Sequence, residues 1–214
     1  MKRNKSAITA LAGVLAFVAA SLISDVRAGD EPGSAASPGE AAQASKDAAA
    51  GSELPPRRSK LTRQTFPEHH FSVLLTPSPE TSREQVTTSG GQSFSATHFK
   101  AREWPHGVYE VQVLTLPEHS GLSPLALDEL CAKIAEGPGD FGKAVITAQN
   151  EISAGGNSGR HLEMSFKENK TNGAKARVYS IGRRVYILTA SGTKPWLKSA
   201  AVNGFLDSLQ VKGE

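Results

Sequence analysis

From Ala144 to Ala190 the chain repeats one arrangement: an extended segment, then a connection of only a few residues, many of them Gly or Asn. The segments are Ala144 to Ser153, Arg160 to Lys167, Lys175 to Ile181 and Arg184 to Ala190. The connections are Gly155-Gly-Asn-Ser-Gly159, Asn169 to Gly173, and Gly182-Arg183. Links this short leave no room for a crossover, so successive strands must run antiparallel beside each other. Leu162, Met164 and Phe166 alternate with His161, Glu163, Ser165 and Lys167, which gives that strand one dry face and one wet face. In Val185-Tyr186-Ile187-Leu188 both faces are apolar, the pattern of an inner strand covered on both sides.

Upstream, Phe71 to Leu75 is a short apolar run closed by Thr76-Pro-Ser-Pro79. Phe94 to Arg102 and Val108 to Leu116 flank a turn at Trp104-Pro-His-Gly107. The period then changes. Ser123 is placed to cap a helix with Pro124 in its first turn. Leu127, Leu130, Cys131 and Ile134 follow at helical spacing, and Gly137-Pro138 ends the run. A closing helix near Pro195 to Leu209 carries Val202, Phe205, Leu206 and Leu209 on one side. Three strands, a helix, four strands and a helix predict an α+β fold. The expected architecture is an antiparallel sheet of about six or seven strands with helices on both faces, in one domain over residues 65–214.

The N-terminal part reads differently. Met1-Lys-Arg-Asn-Lys5, an apolar run from Ala7 to Ile23 and Val26-Arg27-Ala28 have the order of a secretory signal peptide, with cleavage between Ala28 and Gly29. The alternative for residues 1–28 is a retained N-terminal membrane anchor, since the run touches the lower length limit for a spanning helix. Acylation at that boundary needs a cysteine, and Cys131 is the chain's single one; an internal disulfide is excluded for the same reason. Residues 29–64 are rich in Ala, Gly, Ser, Pro and Glu, with Leu54 and Leu61 the large apolar side chains. Such a stretch buries too little apolar surface to offset the entropy of ordering it, so it is expected to be a disordered tether.

The formal charge of +3 comes from 24 basic and 21 acidic residues. Residues 1–28 hold Lys2, Arg3, Lys5, Arg27 and Asp25, so the remainder is formally neutral. Capture of nucleic acid needs a net basic face, and the cluster Arg57-Arg58-Ser-Lys60-x-x-Arg63 lies in the expected tether, where solvated charge is the ordinary reading. No nucleic-acid partner is expected.

Candidate chemistry reduces to structural readings. Asp140-Phe-Gly142 copies a kinase magnesium triplet without a catalytic loop or a Gly-rich loop and its lysine. Gly155 to Arg160 lacks the Gly-Lys-Ser/Thr of a phosphate loop and joins two strands, where a nucleotide loop opens a helix. Gly156-Asn-Ser158-Gly159-Arg160 has arginine where a nucleophile elbow needs glycine, and His161-x-Glu163 lacks the paired cysteines of a zinc deaminase. Of His69, His70, His98, His106, His119 and His161, the adjacent first two point to opposite sides of an extended segment and cannot chelate one ion alone. Cys131 shares the stripe of Leu127, Leu130 and Ile134, so it reads as a small buried hydrophobe. Asn169-Lys-Thr171 is a glycosylation triplet. No catalytic, cofactor-binding or metal-ligating residue is assigned.

Several segments together resemble the PsbP-like superfamily. They are Phe66-Pro-Glu-His-His-Phe71-Ser-Val-Leu-Leu-Thr-Pro77-x-Pro79, then Gly159-Arg160 at the opening of a strand. Arg177-Val-Tyr179-Ser-Ile-Gly182-Arg-Arg184-Val-Tyr186-Ile-Leu188 and Phe205-Leu-Asp-Ser208-Leu complete the set. That superfamily takes in the extrinsic P subunit of photosystem II, a eukaryotic Ran-binding import factor and DcrB-type exported bacterial proteins. The resemblance implies an α/β/α sandwich, a bacterial host, and a binding or assembly role without a shared active site. The expected function is therefore an exported, non-catalytic module, periplasmic or extracellular, that meets an envelope protein, a membrane surface or a cell-wall component. The alternatives are an exported hydrolase-like enzyme whose site forms only in three dimensions, and a metal-dependent exported protein.

Overall fold

The computed structural model describes residues 61–87, 93–116, 124–136 and 144–212. The expected leader, its Ala28–Gly29 cleavage site, the tether as far as Lys60, Ser123, His119 and Asp140-Phe-Gly142 lie outside the described residues. In chain order the strands are β1 (Thr62–Phe66), β2 (Phe71–Leu75), β3 (Glu80–Thr87), β4 (Ser93–Glu103) and β5 (Gly107–Thr115). There follow helix α1 (Pro124–Glu136), β6 (Ala144–Ala154), β7 (Asn157–Phe166), β8 (Asn172–Ile181) and β9 (Arg184–Thr193). Two short helices, α2 (Lys194–Leu197) and α3 (Ala200–Leu206), lead to β10 (Gln210–Val211).

The expected meander is present: β6, β7, β8 and β9 pair in sequence, each antiparallel to the next. β9 then pairs with β5, which closes a seven-stranded sheet in the order β3-β4-β5-β9-β8-β7-β6. Side-chain alternation on β9 divides the core. Val185 and Ile187 enter one apolar cluster with Leu114, Leu127, Leu130, Cys131 and Leu162. Tyr186, Leu188 and Ala190 enter the other, with Phe71, Phe99, Tyr109, Trp196 and Phe205. All five of these β9 residues are buried, as their doubly apolar pattern requires.

Three expectations need correction. Phe71–Leu75 is not in the main sheet; as β2 it sits between β1 and β10 in a separate three-stranded sheet. Its apolar run carries no sign of which sheet it joins, and the choice falls to partners at the two ends of the domain. The main sheet instead takes β3, whose sequence ETSREQVT is polar and was not legible as a strand; it is held by an eight-residue ladder to β4 at the sheet edge. The closing helix is two helices, because Ser199 starts a new one, its Oγ accepting from the Val202 amide at 3.3 Å. The cover on the two faces therefore differs. α1 supplies the layer over one face, and over the other the second sheet is a principal layer, joined by α2 and α3. The fold is mostly antiparallel β with few helices. β1 also takes in Thr62–Gln64, which the composition placed in the tether; Arg63 donates to the Ser208 carbonyl at 3.1 Å, and Leu61 and Phe66 pack on the second cluster.

Two glycines set where the C-terminal helices lie. Gly107 and Gly192 are register partners on β5 and β9, and a Cβ on either would run into the Trp196 ring and neighbouring backbone. Their bare backbone is the seat for the indole, whose Nε1 donates to Glu103 Oε2 at 3.2 Å; the Tyr109 hydroxyl donates to the same oxygen at 2.8 Å. Among the described residues, no helix is long and apolar enough to cross a membrane.

Candidate binding cleft

Where the second sheet ends beside the hairpins of the main sheet, the two layers leave a cleft of about 590 Å³. Three tight turns shape its wall. β6 and β7 are joined by Gly155 and Gly156, with φ of 56° and 81°, a two-residue hairpin that favours glycine at both positions. Gly182, φ 55°, turns β8 into β9. On the opposite side His70 adopts left-handed φ 57° at the end of a short 3-10 turn, Pro67–His69. That turn swings the chain into β2 and presents His70 at the cleft.

Burial sorts the lining. Tyr186 is 1% exposed and forms the floor; its hydroxyl donates to the His69 carbonyl at 3.0 Å, and its ring meets Phe71 edge-on at 5.6 Å. Ile181, Leu209 and Val211 are half-buried around it. Gln210 and Lys212 are exposed at the rim, with His70 and Arg184 half-buried between rim and floor. Among the described residues that line the cleft, Arg184 and Lys212 are cationic, His70 adds an imidazole, and none is acidic.

The adjacent histidines lie not in an extended segment but in the 3-10 turn and at its left-handed end, and they go to different places. His70 lines the cleft, while His69 is buried with its ring edge-on to Phe99 at 5.4 Å. Burial holds the His69 pKa below the ordinary imidazole value; Glu68 opposes that shift, and Arg83 and Arg184 add to it. His161 and Glu163 form a pair at 3.8 Å, and Glu163 also meets Lys175 at 3.1 Å, on the open face of β7 and β8. Cys131 is fully buried, and burial with the nearby Asp128 carboxylate pushes its thiol up to about 12, which removes its nucleophilic form at neutral pH. Asn169 and Thr171 hydrogen-bond to each other at 2.6 Å in the turn before β8.

A second polar cluster was not visible in the sequence. On the α1 side of the sheet His98 is 3% exposed and Glu110 is 1% exposed. His98 Nδ1 lies 2.9 Å from Glu110 Oε1, and Nε2 lies 3.2 Å from Glu84 Oε1. A carboxylate at each ring nitrogen favours the charged, imidazolium form. Burial alone would lower its pKa, but the hydrogen bonds and charges of Glu110 and Glu84 outweigh that and raise it. Gln112 donates to the same Glu110 oxygen at 3.0 Å. The buried Arg160 forms a further pair on this face, its Nε 2.6 Å from the more exposed Asp128 of α1, which ties that helix to β7. The signal that could have flagged these groups is the charged residue inside an otherwise apolar strand, Glu110 between Tyr109 and Val111. Among the described residues, no three His, Cys, Asp or Glu side chains converge on a possible metal position.

By architecture the chain is an antiparallel α+β protein built on a seven-stranded and a three-stranded sheet. Its structure is similar to the solution structure of PsbP (CyanoP) from the cyanobacterium Synechocystis sp. PCC 6803, a protein of the superfamily that the sequence resembles. That similarity covers 72% of this chain and 94% of that one, with 11% identity and a TM-score of 0.49. It is also similar to a protein of unknown function, PA94, from Pseudomonas aeruginosa, at 12% identity and a TM-score of 0.38, covering 72% and 98% of the two chains. No protein-family model matches the chain, and no curated protein sequence matches it.

Proposed function

We propose that this protein is an exported, non-catalytic binding module whose recognition site is the cleft floored by Tyr186. Residues 1–28 direct export and are cleaved before Gly29, residues from 29 to about 60 form the tether, and the β-rich domain meets an envelope partner. The observation that carries the reading is the cleft itself: an apolar floor held by a tyrosine hydrogen bond, with polar groups on the rim, is the form a small recognition site takes. The polar cluster on the α1 face, away from the cleft, also supports binding over turnover. His98, the most buried imidazole among the described residues, has both ring nitrogens engaged by carboxylates and so offers no free nitrogen to a substrate.

The test is a photoreactive side chain placed at Gln210 of the full chain in a bacterial envelope. It is expected to capture a discrete component, whereas the same group at Glu168, exposed and not part of the cleft lining, captures none. Equal labelling from both positions counts against the cleft. N-terminal sequencing of the envelope-derived protein is expected to start at Gly29, and a start at Met1 would favour the retained anchor. Reproducible turnover in a broad hydrolase screen, lost on mutating one residue, would overturn the non-catalytic reading.

A further inference from the structure

We infer that the cleft recognises an amphipathic anion, a carboxylate or phosphate head on an apolar body. This rests on the reading of the cleft as a recognition site and adds the chemical class of what it holds. The charge pattern is one-sided: Arg184 and Lys212 approach, with the His70 imidazole, from three separate segments, and none of the described lining residues is acidic. The three come together only in the folded chain, from the end of the 3-10 turn, the first residue of β9 and the residue after β10. Lys212 is fixed in place by its backbone, whose amide donates to the His70 carbonyl at 2.9 Å, so the lysine and the histidine are locked to each other. An arginine presents a planar fork matched to carboxylate and phosphate oxygens, and a lysine adds a mobile point charge.

The floor demands the second half of the ligand. Around the buried Tyr186, the half-buried Ile181, Leu209 and Val211 offer aliphatic groups that a small inorganic ion would leave uncovered. A volume of about 590 Å³ lies within the range of small-molecule sites and exceeds what a bare phosphate fills. Charge near an apolar floor also acts through a lower effective dielectric than at an open surface, which strengthens the head-group contact. The turn glycines Gly155 and Gly182 carry no side chain over the mouth, so the rim stays open to a head group.

The experiment titrates the full chain with octanoate, octyl phosphate, octanol and inorganic phosphate, following the backbone amide resonances of Gly155, Gly182 and Lys212. Octanoate and octyl phosphate are expected to shift these resonances, with octanol and inorganic phosphate at least about tenfold weaker, the scale of one lost charged contact. Lys212→Gln, at an exposed position, and Gln210→Glu, which adds a negative charge to the rim, are each expected to weaken octyl phosphate about tenfold on the same scale. Arg184→Gln should do the same, and the two rim variants keep the test decisive should that substitution unfold the chain. Octanol binding as well as octanoate would overturn the anion assignment and leave the recognition site standing. If no probe binds while the photoreactive group at Gln210 still captures a partner, the ligand class is wrong and the function is not; if both fail, both readings fall. Vesicles separate two sources of the same chemistry. Binding to phosphatidylglycerol but not phosphatidylcholine vesicles, abolished by Lys212→Gln and Gln210→Glu, identifies a lipid, and binding restricted to free octyl phosphate identifies a soluble compound. Vesicle binding untouched by those variants overturns the assignment.

Discussion

The two faces of the seven-stranded sheet are covered by different means. Over one face lies α1, which is inserted between β5 and β6 and sets its Leu127, Leu130 and Ile134 against a largely aliphatic surface of Leu114, Leu162 and Ile187. Over the other lies a layer assembled from both ends of the domain: β1 and β2 from its start, α2, α3 and β10 from its finish. That layer is aromatic, with Phe66, Phe71, Phe99, Tyr109, Tyr186, Trp196 and Phe205 in ring contacts between 4.2 and 5.8 Å. The difference has a physical reason. A helix next in sequence is delivered to its face at small loop-closure cost, whereas distant segments must be held by contacts worth the larger entropy of bringing them together. Large rings supply that, and where the second sheet stops, the seam between layers becomes the cleft.

The sharpest way to break this comparison is to truncate one residue on each face. Phe71→Ala removes a ring that touches Phe66, Phe99 and Tyr186, and is expected to cost about 3–5 kcal/mol. Leu130→Ala, equally buried, should cost about 2–5 kcal/mol. Denaturant unfolding measures both, and the β1-β2-β10 layer should lose amide protection before the main sheet in the first variant alone. Uniform loss of protection in both variants would mean that the aromatic layer is no separate unit. Ile187→Ala tests the central strand common to both layers and belongs in the same range of about 2–5 kcal/mol.

Next in size is Gly192→Ala. The new methyl group meets the His106 carbonyl and the Trp196 ring, so the cost is expected to be about 1–3 kcal/mol, as for overpacking. Indole fluorescence should report a shifted Trp196. An unchanged spectrum and midpoint would show that the indole is not seated on those glycines.

The third prediction sets the faces against each other by pH. His98, on the α1 face, has a raised folded pKa. Its contribution to stability is full below the unfolded imidazole value of about 6.5 and is lost as pH rises through the folded value. His69, beneath the aromatic layer, has a lowered pKa, so its contribution is full above about 6.5 and is lost as pH falls through the folded value. The stability difference between wild type and His98→Gln should therefore shrink as pH rises, and that for His69→Gln should shrink as pH falls. Slopes of the same sign would remove the contrast. The smallest effect is expected from Glu163→Ala on the open face of β7. Its carboxylate is about half exposed and its contacts are surface pairs, so the midpoint should move by less than about 1 kcal/mol.

Particular residues show how far the sequence could be read. The meander and its hairpin turns were legible because Gly155-Gly156 and Gly182 mark turns that alternating segments flank. Helix α1 was legible because Leu127, Leu130, Cys131 and Ile134 keep a helical period. β3 was not, since its polar residues gain a strand only from the ladder with β4. Nor was the partner of β2, which depends on a two-residue strand more than 130 residues further on. His98, Glu84 and Glu110 gave no motif because they lie on three strands, brought side by side by register alone.

Sequence by itself determined local structure: the turns, the strand alternation, helix α1 and a central β9 apolar on both faces. These follow from backbone preferences and side-chain period, which act over a few residues. Tertiary structure alone decided which sheet β2 joins, which layer covers each face, and that His70, Arg184, Tyr186 and Lys212 share one cleft. Those are meetings of segments far apart in the chain, and no local preference encodes them; packing of the aromatic layer selects them.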